Sequence, residues 1–221
     1  MLRMRYRLPV APDGWRFVVP LAILTVVGWR FGGLIAGLPL TVLTAFTLYF
    51  FRDPERELPA GDNLAVAPAD GKILSIEKVE CERFPQGQAL KVGIFLSVFD
   101  VHLNRCPADG TVQSVRHTPG RFHNALLEKS SEENEHNVIA LDTRWGYMEV
   151  KQIAGVIARR IVCYCRTGSA VKRGERIGLI RFGSRTEVYL PLGTEIWVRK
   201  GDRVRGGATP LGRLAENEKR S

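Results

Sequence analysis

Between Phe17 and Phe51 the chain holds a single charge, Arg30, in the run "FVVPLAILTVVGWRFGGLIAGLPLTVLTAFTLYFF", and from Arg52 onward it has the charge density of a water-soluble domain. That contrast predicts a membrane segment, residues 1–52, followed by a β-rich soluble domain, residues 53–221. The 21 uncharged residues from Phe31 to Phe51 would make a helix of about 31 Å, which matches a hydrocarbon core of roughly 30 Å. Residues 17–29 are shorter and contain Pro20. One helix or two are therefore both compatible: a hairpin with Arg30 snorkelling at its far end, or a single span beside an interfacial helix.

The stretch is too long for the apolar core of a signal peptide, and no A-x-A-like site precedes "FRDPERE". Arg3, Arg5, Arg7 and Arg16 come before it and Arg52 and Arg56 after it. Both flanks thus prefer the cytoplasmic side, which favours a hairpin or a monotopic anchor in the cell membrane with the soluble domain facing the cytoplasm.

Past Leu64 the pattern is short apolar runs cut every ten residues or so by Gly, Pro or Asp, as in "KVGIFLSVFDVHL", "NVIALDT", "YMEVKQIAG", "RIGLIRFG" and "TEVYLPLG". Such runs read as strands, and many short strands with turn signals predict a mostly β fold of the barrel-sandwich-hybrid kind. One stretch breaks the rhythm, "GRFHNALLEKSSEENEHN" at 120–137, and reads as a mobile, irregular surface insertion. Residues 144–185 carry ten Lys/Arg against two acidic residues in a chain of net charge +9. Beside a membrane segment, that run favours an anionic headgroup surface. Nucleic acid is disfavoured, since neither a recognised motif nor an aromatic stacking platform accompanies the charge.

Cys81, Cys106, Cys163 and Cys165 form no C-x-x-C pair and no secretory framework, and are read as reduced thiols with no metal site. There is no P-loop, G-x-G-x-x-G, H-E-x-x-H or G-x-S-x-G. The reactive inventory is small. Asp100 and His102 in "FLSVFDVHLNR" are two apart on a strand-like run and share a face, so the aspartate can orient the imidazole. Asp70 in "APADGKI" reads first as a turn residue.

Two Gly-Ser pairs occur, Gly168-Ser169 and Gly183-Ser184. The first sits before a Lys-Arg-Gly turn and reads as loop. The second lies directly between two strands, where a serine hydroxyl can attack the preceding glycine carbonyl in an N-to-O acyl shift.

The ordered segments "FFRDPER", "APADGKI", "FLSVFDVHLNR", "PGRFHNALLEKSSEENEHN" and "IRFGSR" resemble the short form of the phosphatidylserine decarboxylase family, pyruvoyl-dependent lipid enzymes, from about Phe50 to Leu211. The resemblance implies autocatalytic cleavage between Gly183 and Ser184, conversion of Ser184 to a covalent pyruvoyl group, and decarboxylation of phosphatidylserine to phosphatidylethanolamine. It further implies that the fragments 1–183 and 184–221 stay together as a heterodimer, with homo-oligomerisation open. By the same analogy His102 is the general base and later proton donor, oriented by Asp100 or Asp70. The chain has Arg105 where long forms carry a second histidine, and Arg185 after the serine as short forms do. His136 stands where the family usually has arginine, which makes His136, with Asn134, a candidate contact to the lipid phosphate or carboxylate. Two rival readings are a membrane-anchored interaction module without chemistry, and a pyruvoyl decarboxylase of a soluble amino acid. Whether the lipid has a diacylglycerol or an ether backbone is not written in these residues.

Overall fold

A computed structural model describes residues 9–127, 130–156, 160–181 and 184–215. The chain divides into two compact units, residues 1–55 and 56–221.

The first unit is a helical hairpin. Its helix α1, Trp15–Phe50, is broken at Gly33, whose φ of 54° and ψ of −142° lie outside helical space. Only a glycine adopts that conformation cheaply, and Gly33 follows another glycine in "FGGL". The two limbs, 15–32 and 34–50, fold back on each other. Thr25 and Thr44 share a hydroxyl hydrogen bond of 2.8 Å, and the Trp29 indole donates to Thr41 Oγ1 at 2.9 Å. The ends meet as well: Ala11 N donates to the Phe51 carbonyl at 2.8 Å, and the Phe17 and Phe51 rings stack at 5.5 Å. Each limb is about 26 Å long, and the hairpin exposes Val26, Phe31, Leu34, Ile35 and Val42 among many apolar side chains. By length and composition the segment is apolar enough to cross a membrane. Of the two arrangements open from sequence, the structure adopts the hairpin, with Arg30 beside the break and over the Phe31 ring.

The second unit is built from strands. In chain order they are β1 (Leu64–Val66), β2 (Gly71–Glu80), β3 (Gln88–Leu96), β4 (Leu103–Arg105), β5 (Gly110–Thr118), β6 (His136–Thr143), β7 (Gly146–Ala154), β8 (Ile161–Cys163), β9 (Ala170–Val171), β10 (Arg176–Ile180), β11 (Ser184–Leu190), β12 (Glu195–Ile196), β13 (Arg203–Val204) and β14 (Pro210–Arg213). Eight of them form one curled sheet in the order β13-β2-β3-β11-β7-β6-β5-β9, and two three-stranded sheets, β1-β14-β12 and β4-β10-β8, complete the unit. The mostly β architecture expected from the spacing of apolar runs is the one observed.

Strand β11 is the centre of the large sheet, paired antiparallel to β3 on one side and β7 on the other. All seven of its residues are buried. Alternation sorts them: Ser184, Thr186, Val188 and Leu190 face one way, and Arg185, Glu187 and Tyr189 the other. Val188 and Leu190 join the main core with Val92, Ile94, Ile139, Val150, Met148, Ile177 and Leu211. Ser184 and Thr186 continue that inward column to the end of the sheet.

Two expectations are corrected. "KVGIFLSVFDVHL" is not one strand: β3 stops at Leu96 and β4 starts at Leu103. The Asp100 carboxylate ends the run by accepting from Ser97 N at 2.9 Å and Ser97 Oγ at 2.8 Å, closing a turn. Nor do all the cations of 144–185, read in sequence as one headgroup-facing run, lie exposed on one face. Arg181 and Arg185 are buried, and the Arg173 guanidinium donates to the carbonyls of Pro59, Leu64 and Gly61. Strands that alternate faces scatter a charge run that looks continuous in one dimension.

Candidate functional site

Ser184 opens β11 opposite Leu96 of β3 and Ala154 of β7. It is fully buried, and its Oγ has no hydrogen-bond partner among the described residues. An unsatisfied buried hydroxyl costs about 1–3 kcal/mol and calls for a functional explanation. The other Gly-Ser pair behaves differently. Ser169 lies in an exposed turn, donating to the Arg166 carbonyl and accepting from Arg166 N. Gly183 lies outside the described residues.

One level further in, a row of buried amides and a hydroxyl spans four strands. Asn137 Nδ2 donates to Gln152 Oε1 at 2.9 Å, Gln152 Nε2 to Asn104 Oδ1 at 2.9 Å, and Asn104 Nδ2 to Thr186 Oγ1 at 2.8 Å. Asn137, Gln152 and Thr186 are register partners across β6, β7 and β11, and Asn104 closes the row from β4 of another sheet. Gly178 of β10 admits it: a Cβ there would stand 2.5 Å from Gln152 Nε2 and 2.5 Å from the Val162 carbonyl oxygen. None of these four side chains stood out in sequence. Their signal was weak: polar residues at inward positions of apolar strands, in "HLNRC", "NVIAL", "KQIAG" and "RTEVY".

The row fixes where His102 lies. His102 is two residues before Asn104, as Ser184 is two before Thr186, and its carbonyl accepts from Ile180 N at 3.2 Å where β10 ends. His102 is fully buried and directly precedes β4. Its Nδ1 is 3.0 Å from the Asp100 carbonyl oxygen. A carbonyl only accepts, so Nδ1 carries the proton, and in the neutral ring Nε2 is the basic nitrogen.

Asp100 thus contacts the imidazole through its main chain. Its carboxylate pairs with Arg203 as well as Ser97. Asp70 accepts from Arg56 at 2.7 Å and from Gly206 N at 2.7 Å. Burial pushes its carboxyl above the usual range, and the Asp100 charge adds to that push against the Arg56 guanidinium. The two carboxylates therefore belong to one electrostatic neighbourhood.

Asn134 and His136 lie at the same end of the sheet. Asn134 Nδ2 donates to the carbonyls of His123 at 2.8 Å and Ala154 at 2.7 Å, and its Oδ1 accepts from His123 N at 2.8 Å. It ties His123 to the end of β7. Ser130 and Ser131 are buried as well, so the described parts, 121–127 and 130–135, are pinned rather than loosely attached. His136 pairs with Ile153, which pairs with Arg185, so the register assigns it to the sheet face opposite Ser184. Burial, aided by the Lys151 ammonium, holds its imidazole below the ordinary histidine value against the pull of the Asn134 carbonyl.

That opposite face carries buried charge. Arg185 and Glu187 form an ion pair at 2.8 Å with side chains 2% and 0% exposed. Glu187 also accepts from Ser131 Oγ at 2.9 Å and Tyr189 OH at 2.8 Å. The residue after the serine is thereby locked from behind.

The unit thus holds a buried strand serine whose hydroxyl has no partner among the described residues and a buried histidine just before β4, groups capable of nucleophilic and acid-base chemistry. Comparison with known proteins agrees. The family model described as phosphatidylserine decarboxylase matches residues 43–212. A protein of Symbiobacterium thermophilum named phosphatidylserine decarboxylase proenzyme is 47% identical over 212 residues, covering 94% of this chain and 96% of its own length. Proteins of the same name from Desulfotalea psychrophila and Burkholderia cenocepacia are 45% and 41% identical, covering 94% and 96% of this chain and 98% and 100% of their own. The chain belongs to the phosphatidylserine decarboxylase family, and so stands among enzymes rather than non-catalytic binding modules.

Proposed function

We propose that the chain cleaves itself between Gly183 and Ser184 and then decarboxylates phosphatidylserine to phosphatidylethanolamine. The observation that carries this reading is the buried Ser184 hydroxyl at the start of the central strand, which has no hydrogen-bond partner among the described residues. A hydroxyl without competing hydrogen bonds is available to attack the carbonyl of the preceding residue, passing its proton to a base as the peptide becomes an ester. The name proenzyme, which the relatives carry, agrees with a chain that matures by cleavage.

His102 is the base in this scheme. Its Nδ1 is held by the Asp100 carbonyl, which leaves Nε2 to take the proton from the serine and, in elimination of the ester, from Cα of residue 184. Asp100 and Asp70 hold this region through Arg203 and Arg56 and keep negative charge near the imidazole.

A pyruvoyl group fits position 184. The side chain it replaces is small, buried and unbonded, so conversion breaks no hydrogen bond described there. Once formed, that group supplies an electrophilic carbonyl for the serine headgroup amine and a sink for the electron pair left by carbon dioxide. The protein's part is to exclude water through complete burial, to hold residue 184 between β3 and β7, and to return a proton to the product from His102. Asn134 and His136 position segment 121–135 at this end of the sheet.

The helical hairpin anchors the chain in the cell membrane. With both hairpin ends on one side and arginines flanking them, the catalytic unit faces the cytoplasm. The two fragments remain paired, because β11 of the smaller one is hydrogen-bonded to β3 and β7 of the larger.

Release of labelled carbon dioxide from carboxyl-labelled phosphatidylserine, beside free serine and free aspartate, tests the substrate. Turnover of the phospholipid alone is expected. Turnover of a free amino acid with none of the phospholipid overturns the proposal.

A further inference from the structure

Exposed apolar side chains gather at one end of the β unit. Phe122, Leu126 and Leu127 lie on segment 121–127, Phe99 on the turn after β3 and Val156 just past β7, with exposures of 38%, 49%, 46%, 64% and 58%. The three segments have a common origin. Leu96 and Ala154, where β3 and β7 end, are the two register partners of Ser184, and Asn134 ties His123 to Ala154. The patch therefore rings the end of the sheet that carries Ser184. Exposed apolar groups scattered singly need no explanation, but a cluster on one rim does.

We infer that this rim is a second membrane contact, in which Leu126, Leu127, Phe122, Phe99 and Val156 enter the acyl region of the bilayer around the mouth of the site. The bilayer is favoured as occupant on three grounds. Arg121, next to Phe122 in the chain, and Arg160, four residues past Val156, are exposed, and a mixture of apolar tips and guanidinium groups suits the headgroup boundary of an anionic membrane. The covalent tether is short as well. Five residues, 51–55, lie between Phe50, the end of the apolar hairpin, and Arg56, where the β unit begins, and such a length reaches at most about 20 Å. Finally, this is the end where a lipid must present its headgroup, a ground that rests on the reading of the chain as a phosphatidylserine decarboxylase.

The backbone supports the apolar tips. Asn124 holds the turn, its Oδ1 accepting from Leu126 N at 3.1 Å and its carbonyl from Leu127 N at 3.0 Å. Asn134 anchors the base of the segment. The tips are offered to the outside by a segment braced from within.

Two measurements on the full chain test this. In nanodiscs of phosphatidylcholine and phosphatidylglycerol, a phosphatidylcholine bearing an acyl-chain diazirine should label peptides spanning 121–127 and 156 as well as the hairpin. Labelling confined to 15–51 overturns the inference. Cross-links joining this rim on two copies, without lipid adducts, overturn it in favour of a dimer contact. In turnover, the double substitution Leu126→Glu with Leu127→Glu should cut activity on bilayer phosphatidylserine at least tenfold. Activity on a short-chain, monomerically dissolved phosphatidylserine should stay within twofold, and maturation into two fragments should be unchanged. Equal loss on both substrates, or loss on neither, contradicts it. A wild-type protein inactive on both lipids would sink the functional reading instead, with the labelling result still reporting on the surface.

Discussion

Asn104 donates its side-chain amide to the Thr186 hydroxyl at 2.8 Å, tying β4 of one sheet to β11 of another two residues inward of His102 and Ser184. The bond ties the strand that follows the proposed base to the strand that the proposed nucleophile opens. Thr186→Val keeps the shape but leaves a buried amide donor unpaired, at a cost of about 1–3 kcal/mol. Urea unfolding should show that loss, and self-cleavage should slow at least tenfold. Maturation at the wild-type rate would contradict this role.

Gly178 makes room for the same row. A Cβ at 2.5 Å from the Val162 carbonyl oxygen meets backbone, which does not step aside, and one at the same distance from Gln152 Nε2 displaces the amide. Gly178→Ala should cost about 1–3 kcal/mol, the range for overpacking, and should slow cleavage along with Thr186→Val. A neutral result by thermal unfolding would mean that β10 shifts freely against β8.

Behind the serine, Arg185 and Glu187 are paired where neither reaches water. Removing one partner of such a pair leaves an uncompensated buried charge, typically at 3–5 kcal/mol. Arg185→Met should approach that range in chemical denaturation, since Glu187 stays fully buried. A change under about 1 kcal/mol, the range of exposed pairs, would show that the pair is solvated.

His136 gives a pH dependence. Its imidazole is held below the ordinary value of 6.5, first by burial. A group whose folded pKa is depressed contributes stability that is complete above its unfolded pKa and is lost as pH falls through the folded one. The wild type should therefore lose more stability between pH 7.5 and pH 5.5 than His136→Asn does. Equal losses in melting temperature would contradict the assignment.

Much of this was legible in one dimension. Alternating β-branched runs between Gly and Asp turns gave the strands, and the bare stretch around Arg30 gave the apolar segment. Ser184 and His102 stood out because the segments "IRFGSR" and "FLSVFDVHLNR" carry a family resemblance, not by their chemistry alone. The hairpin was less legible, because Gly32-Gly33 marks a break only once Thr25 and Thr44 are seen to meet. The row Asn137-Gln152-Asn104-Thr186 was invisible, since its bonds join residues up to 82 apart in sequence. Asp100 misled for a related reason: spacing of two implied a shared strand face, but its carboxylate closes a turn on Ser97. His136 stood out in sequence only as a candidate lipid contact, and strand register alone shows that it lies on the sheet face opposite Ser184.

The most direct test of the central claim is the intact mass of the purified full chain beside its Ser184→Ala and Ser169→Ala variants. Wild type and Ser169→Ala should each give a 183-residue piece and a piece of residues 184–221 whose first residue lacks a free amino group, and Ser184→Ala should remain one chain of 221 residues. A folded wild type that stays uncleaved, or cleavage blocked by Ser169→Ala rather than by Ser184→Ala, would contradict the account.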